Sequence, residues 1–181
     1  MNLKLLWYCT KSDLKLYKTI DNDYTVKKAK DNIFGYEELN GKIVAESDFE
    51  MEEIRVVTQY TIDKSWDIYL TPNLEPGELK KRSRLNDSML DKYKPNYAIH
   101  IKNLHIFDEP KKLGMAHYTT LKSANKIQKA PQNMCIVRSY YPKNYFEKYV
   151  LISVHPEWLA MILNGLKDVE LRRKVLKEMK E

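Results

Sequence analysis

Apolar residues along this chain come in short runs that mostly alternate with polar ones, and strands dominate the pattern. Leu3–Thr10 alternates weakly and ends in Lys11-Ser12-Asp13, which predicts a strand and a turn. Residues 13–38 are polar, with Lys27, Lys28 and Lys30 close together. They read as a solvated loop or short helix, or alternatively as a phosphate-facing segment. Asn40-Gly41 is a turn signal, and Lys42–Glu46 after it reads as a strand. Glu52–Ile62 is rich in β-branched residues and reads as its partner in a hairpin, joined by an acidic connection at Asp48–Glu53.

Trp66–Leu70 is a short candidate strand, and Pro72–Gly77 a loop. Lys80, Lys81, Arg82 and Arg84 form the densest basic cluster, read as a loop before Asn86, the predicted N-cap of a helix through Tyr93. Tyr97–Ile101 is a strand, continued by Leu104–Phe107 and ended by Asp108-Glu109-Pro110. Residues 114–131 are irregular or weakly helical, and Met134–Val137 is an apolar strand. Ser139–Lys148, with Tyr140, Tyr141, Tyr145 and Phe146, reads as a surface linker. Val150–Val154 is an apolar strand, and Pro156 opens a helix over Glu157–Leu163 that stops at Asn164-Gly165. Lys167–Arg173 is a short charged strand. The sum is about six short strands and two or three short helices, an α+β class met best by a small β-barrel with attached helices.

Composition narrows the setting. With 181 residues the chain is expected to form one domain, with a body at 1–138, a linker at 139–148 and a closing unit and tail at 149–181. A net charge of +6 favours polyanionic partners, but 31 basic residues stand against 25 acidic ones. A basic surface is therefore a matter of arrangement. Cys9 and Cys135 sit in apolar runs, without metal spacing, and read as buried reduced thiols. No metal or other cofactor is expected. No apolar run reaches the ~18 residues of a membrane-spanning helix, and the N-terminus reads as a strand and not as a signal peptide. The expected compartment is the cytoplasm of a bacterial host. The many Lys, Asn and Tyr residues fit a low-GC genome or its phage.

The most specific spacing is Gly165-x-Lys167-x-x-Glu170-x-Arg172. Strand alternation puts Glu170 and Arg172 on one face and Val169, Leu171 and Arg173 on the other. Lys167 and Arg172 have the chemistry to hold a phosphate or a base carbonyl, and Glu170 to accept from an amine or serve as a general base. The alternative is a structural Glu170–Arg172 ion pair with Lys167 solvated. His155 and His100 are the histidines to weigh beside them. If both line one cleft, the set suits metal-independent RNA cleavage.

With Ser153–Arg173 read as strand, helix, Gly, Lys, Glu and Arg, the chain resembles the ASCH family of PUA-like β-barrels, whose GxKxxExR pattern falls on Gly165, Lys167, Glu170 and Arg172. His155 stands where a lysine is common. Leu6–Lys11 resembles the family's Y-C-T strand, Asn40–Glu46 its G-K-V-x-x-E strand, Tyr97–Leu113 the late strand pair of phage-borne members, and Pro131–Cys135 their closing P-Q-x-x-C strand. The motif that usually opens the domain here closes it. The resemblance therefore implies a circular permutation joined through Ser139–Lys148, with Met1 and the C-terminal segment as neighbours. A truncated second copy or a swapped dimer is the competing explanation.

The resemblance implies RNA binding, in some members RNA cleavage, and in small bacterial members amidohydrolysis of acetylated cytidine. That last activity uses a threonine where this chain has Glu170. The expectation is an RNA-binding protein that also cleaves structured RNA, with a phage anti-defence role against a guide RNA or its ribonucleoprotein. Lys167, Glu170, Arg172, His155 and His100 are the expected catalytic set. Lys11, Lys80, Lys81, Arg82, Arg84, Lys167, Arg172 and Arg173 are the expected RNA contacts. An amidohydrolase on a modified nucleoside and a non-catalytic interaction module are the alternatives.

Overall fold

The computed structural model describes residues 3–11, 26–27, 33–34, 36–72, 77–115, 118–121, 125–139 and 147–181. Its strands are β1 (Lys4–Cys9), β2 (Val26–Lys27), β3 (Ile33–Phe34), β4 (Lys42–Glu53), β5 (Arg55–Tyr60) and β6 (Trp66–Thr71). After these come β7 (Tyr97–Lys112), β8 (Tyr118–Thr120), β9 (Met134–Ser139), β10 (Lys148–Val154) and β11 (Val169–Arg172). The α-helices are α1 (Tyr36–Leu39), α2 (Glu78–Ser83), α3 (Asp87–Tyr93) and α4 (Pro156–Leu163), and a 3₁₀ turn covers Lys177–Met179. The class is mixed α+β and rich in strands. Among the described residues there are more strands than the six expected, and no pairing closes a barrel. None of the described helices is long and apolar enough to cross a membrane.

The chain forms two compact units, residues 1–48 with 103–165 and residues 49–102 with 166–181. In the first unit the strand order is β7-β4-β1-β10-β9-β8. β1 and β10 run parallel, Lys4 facing Tyr149 and Cys9 facing Val154. Both are near-continuous apolar runs, as strands covered on both faces require. Leu5, Leu6 and Trp7 of β1 and Val150, Leu151 and Ile152 of β10 are fully buried. The Trp7 indole donates to Ser47 Oγ at 2.9 Å, which satisfies the polar atom of a buried ring. Pro156 begins α4 at the position where its missing N–H costs nothing.

Cys9 is 1 % exposed. Burial pushes its thiol up to about 12, against a smaller lowering by the Gly41 backbone. Its contribution to stability is complete below the unfolded thiol's value of 9.0 and is lost as pH rises from there through the folded value. Only the thiolate is nucleophilic, so native protein at neutral pH should leave Cys9 unlabelled by iodoacetamide, with labelling appearing on denaturation. Equal labelling rates in native and denatured protein, read by mass spectrometry, would contradict this.

The second unit packs Ile54, Leu70, Leu79, Leu90, Ala98, Val169 and Leu171 into its own core. β11 pairs antiparallel with the first residues of β7, Val169 against His100 and Arg172 against Tyr97. Asn86 caps α3, its side chain accepting from Met89 N at 2.9 Å, as the sequence predicts.

Two local expectations are corrected. The hairpin is not Lys42–Glu46 with Glu52–Ile62. β4 runs unbroken through Asp48–Glu53, and the hairpin is β5 with β6, Arg55 facing Thr71 and Tyr60 facing Trp66. The acidic stretch is no connection, because Glu46, Asp48, Glu50 and Glu52 alternate onto one strand face. Each has a partner there. In the first unit Glu46 stands 4.0 Å from Lys4 and Asp48 accepts from Asn103 at 2.8 Å. In the second unit Glu50 stands 3.7 Å from Lys102 and Glu52 2.8 Å from His100. The second correction is the basic loop: Lys80–Ser83 is the end of α2, whose buried Leu79 and Ser83 lie one turn apart.

Met1, whose place beside the C-terminal segment the permutation predicts, lies outside the described residues, as do Lys28, Lys30 and residues 140–146 of the expected linker.

Candidate functional site

Lys167, Glu170 and Arg172 of the second unit form an ion network. Lys167 is 2 % exposed and Glu170 8 %. The two oxygens of Glu170 serve two cations: Oε2 lies 3.2 Å from Lys167 Nζ and Oε1 2.9 Å from Arg172 Nε. Glu170 and Arg172 share a face, as alternation predicts, and form the ion pair of the alternative reading. Lys167, expected as a catalytic and RNA-contacting residue and solvated only in the alternative reading, is buried. It donates to the Ser83 carbonyl at 2.6 Å, so it ties the start of β11 to the end of α2. Burial lowers its pKa, while the carboxylate of Glu170 pulls it back up.

The basic cluster is also occupied internally. Arg82 forks onto Asp168, with Nε 3.0 Å from Oδ1 and Nη2 3.0 Å from Oδ2. Arg84 Nε donates to the Leu166 carbonyl at 2.7 Å. Lys80 pairs with Asp87 at 2.5 Å, and Arg173 donates to the Tyr93 carbonyl at 2.6 Å. The end of α2 therefore grips three successive residues, Leu166, Lys167 and Asp168. Lys81 is exposed. His100 belongs to the same unit and is held by Glu52. His155 belongs to the first unit, exposed, with its Nδ1 3.4 Å from Thr10 Oγ1.

The first unit carries two open clefts. One, of about 860 Å³, stands over the sheet and is lined by Lys4, Lys42, Lys111 and Lys112, by Glu46, Glu109 and Glu147, and by His105, Phe107, Tyr118 and Tyr149. The β7 residues His105, Phe107, Glu109 and Lys111 reach it because residues two apart share a strand face. Lys111 Nζ sits 4.0 Å from the Phe107 ring centroid and 5.8 Å from that of Tyr118. Burial lowers its pKa, and Glu46 raises it.

The other cleft, of about 650 Å³, is lined by Lys11, Lys42, Lys112 and Lys129 together with Asn40, Gln128 and Gln132. None of its described lining residues is a carboxylate. Lys42 and Lys112 line both clefts. Gly41 matters here: its φ is +70°, and a Cβ on it would lie 2.9 Å from the Lys11 side chain. Of the predicted RNA contacts only Lys11 lines these clefts. Lys4, Lys42, Lys111, Lys112 and Lys129 line the clefts without being predicted contacts, and of these only Lys111 lies in a readable pattern, the His105-x-Phe107-x-Glu109-x-Lys111 alternation. The chain matches no family model, no curated protein and no solved structure.

Proposed function

We propose that this protein binds RNA through the lysine-lined clefts of its first unit. The observation that carries the reading is the four-lysine cleft without a described carboxylate, which shares Lys42 and Lys112 with a cleft that also holds aromatic rings. A phosphate backbone matches the carboxylate-free cleft and bases match the aromatic one. The reading is binding and not cleavage, because the expected catalytic lysine and glutamate already neutralise each other beneath the surface. A permuted ASCH-type domain remains the proposed family. The parallel pairing of β1 with β10 supports it, since it sets the first strand beside the strand that leads into the motif.

The test is fluorescence anisotropy with a labelled RNA oligonucleotide across a salt series. Four lysine–phosphate contacts at roughly −0.7 each predict a log–log slope of about −3. Tight binding with no salt dependence, or no binding at low salt, overturns the reading.

A further inference from the structure

The two clefts differ in charge in a way that assigns them different parts of a ligand. The second offers four lysines to a polyanion. The first offers four lysines and three glutamates, so a phosphate there meets both attraction and repulsion. A neutral, planar group with a donor edge and an acceptor edge meets neither conflict. Its carbonyl or ring nitrogen accepts from an ammonium, and its amine donates to a carboxylate. The cleft's volume of about 860 Å³ falls in the roughly 300–1,000 Å³ range of small-ligand sites.

Its wall is aromatic as well. Tyr118 and Tyr149 pack edge to face at 5.5 Å, and Lys111 is held over Phe107. The Tyr149 hydroxyl donates to Glu147, which fixes that carboxylate at the rim. Such a wall suits the edge and face of a flat ring.

We infer that the first cleft is a nucleobase pocket that takes one unpaired, amine-bearing base of the bound strand, while the strand's phosphates follow the second cleft. This rests on the RNA reading above and deepens it. The ligand class is single-stranded or looped RNA with cytosine, adenine or guanine at the pocket position. Uracil has no exocyclic amine for the carboxylates. A fully paired duplex keeps its base edges engaged and cannot insert one.

The experiment uses the full chain and a single-stranded RNA oligonucleotide carrying one abasic position, moved stepwise along it. One position should weaken binding by about 5- to 150-fold, the loss expected for one stacked base, and the rest should change it little. Uracil at that position should be weaker than cytosine. Lys111→Gln should weaken the intact strand and leave the abasic strand unchanged, a readout that misfolding would not reproduce. A flat abasic scan with tight, salt-dependent binding, or a duplex bound as well as the single strand, overturns the pocket and leaves the RNA reading standing. Absence of binding to every RNA overturns both.

Discussion

Replacing Glu170 by alanine should cost about 3–5 kcal/mol of folding stability, the loss typical of breaking a buried ion pair from one side. Lys167 and Arg172 would keep their charges while losing the carboxylate between them, and Lys167 is 2 % exposed, out of reach of compensating water. It would keep its hydrogen bond to the Ser83 carbonyl. Arg82→Ala makes the contrast. Its partner Asp168 is half exposed, so the loss should stay near ~1 kcal/mol or below despite the forked geometry. Urea unfolding followed by tryptophan fluorescence measures both. A triple Lys167→Met/Glu170→Leu/Arg172→Met variant should recover most of the loss, because apolar side chains in place of a buried ion network leave no stranded charge. A Glu170→Ala loss no larger than that of Arg82→Ala would show that the network is solvated.

The second large effect concerns Lys42 and Lys112, the two lysines that line both clefts. Lys42→Gln/Lys112→Gln should flatten the salt slope by about 1.4 and weaken RNA binding about 25-fold at roughly 0.1 M salt, from two lost contacts at ~0.7 each. The control is Lys174→Gln/Lys177→Gln, two exposed lysines of the second unit. Both double variants lower the formal net charge from +6 by two. Equal losses in the two would mean that bulk charge alone attracts the RNA and that the clefts are not its site.

Much of the local structure was readable in the chain. The apolar runs of β1 and β10, the Asn40-Gly41 turn, the Asn86 cap and Pro156 at the first turn of α4 all depend on residues within a few positions of one another. So does the shared face of Glu170 and Arg172. The errors arose where a polar stretch has two local meanings. Asp48–Glu53 reads as a connection by composition and as a strand by period, and cross-strand partners such as Lys102 and His100 favour the second. Lys80–Arg84 reads as a solvated loop until its buried neighbours Leu79 and Ser83 turn it into a helix end.

The sequence by itself determined a strand-rich α+β chain, its principal strands and caps, and the spacing that puts Glu170 and Arg172 on one face. These follow from backbone periodicity and nearest-neighbour chemistry, which are local. Only the tertiary structure decided where the positive charge is spent. It buries Lys167 against Ser83, commits Arg82 and Arg84 to Asp168 and Leu166, and gathers Lys11, Lys42, Lys112 and Lys129 around one cleft. Those four lysines are separated by long stretches of chain, and no local pattern records that folding brings them together. Lys167, Glu170 and Arg172 of the GxKxxExR stretch form a buried ion network, and the proposed RNA surface lies on lysines outside that motif.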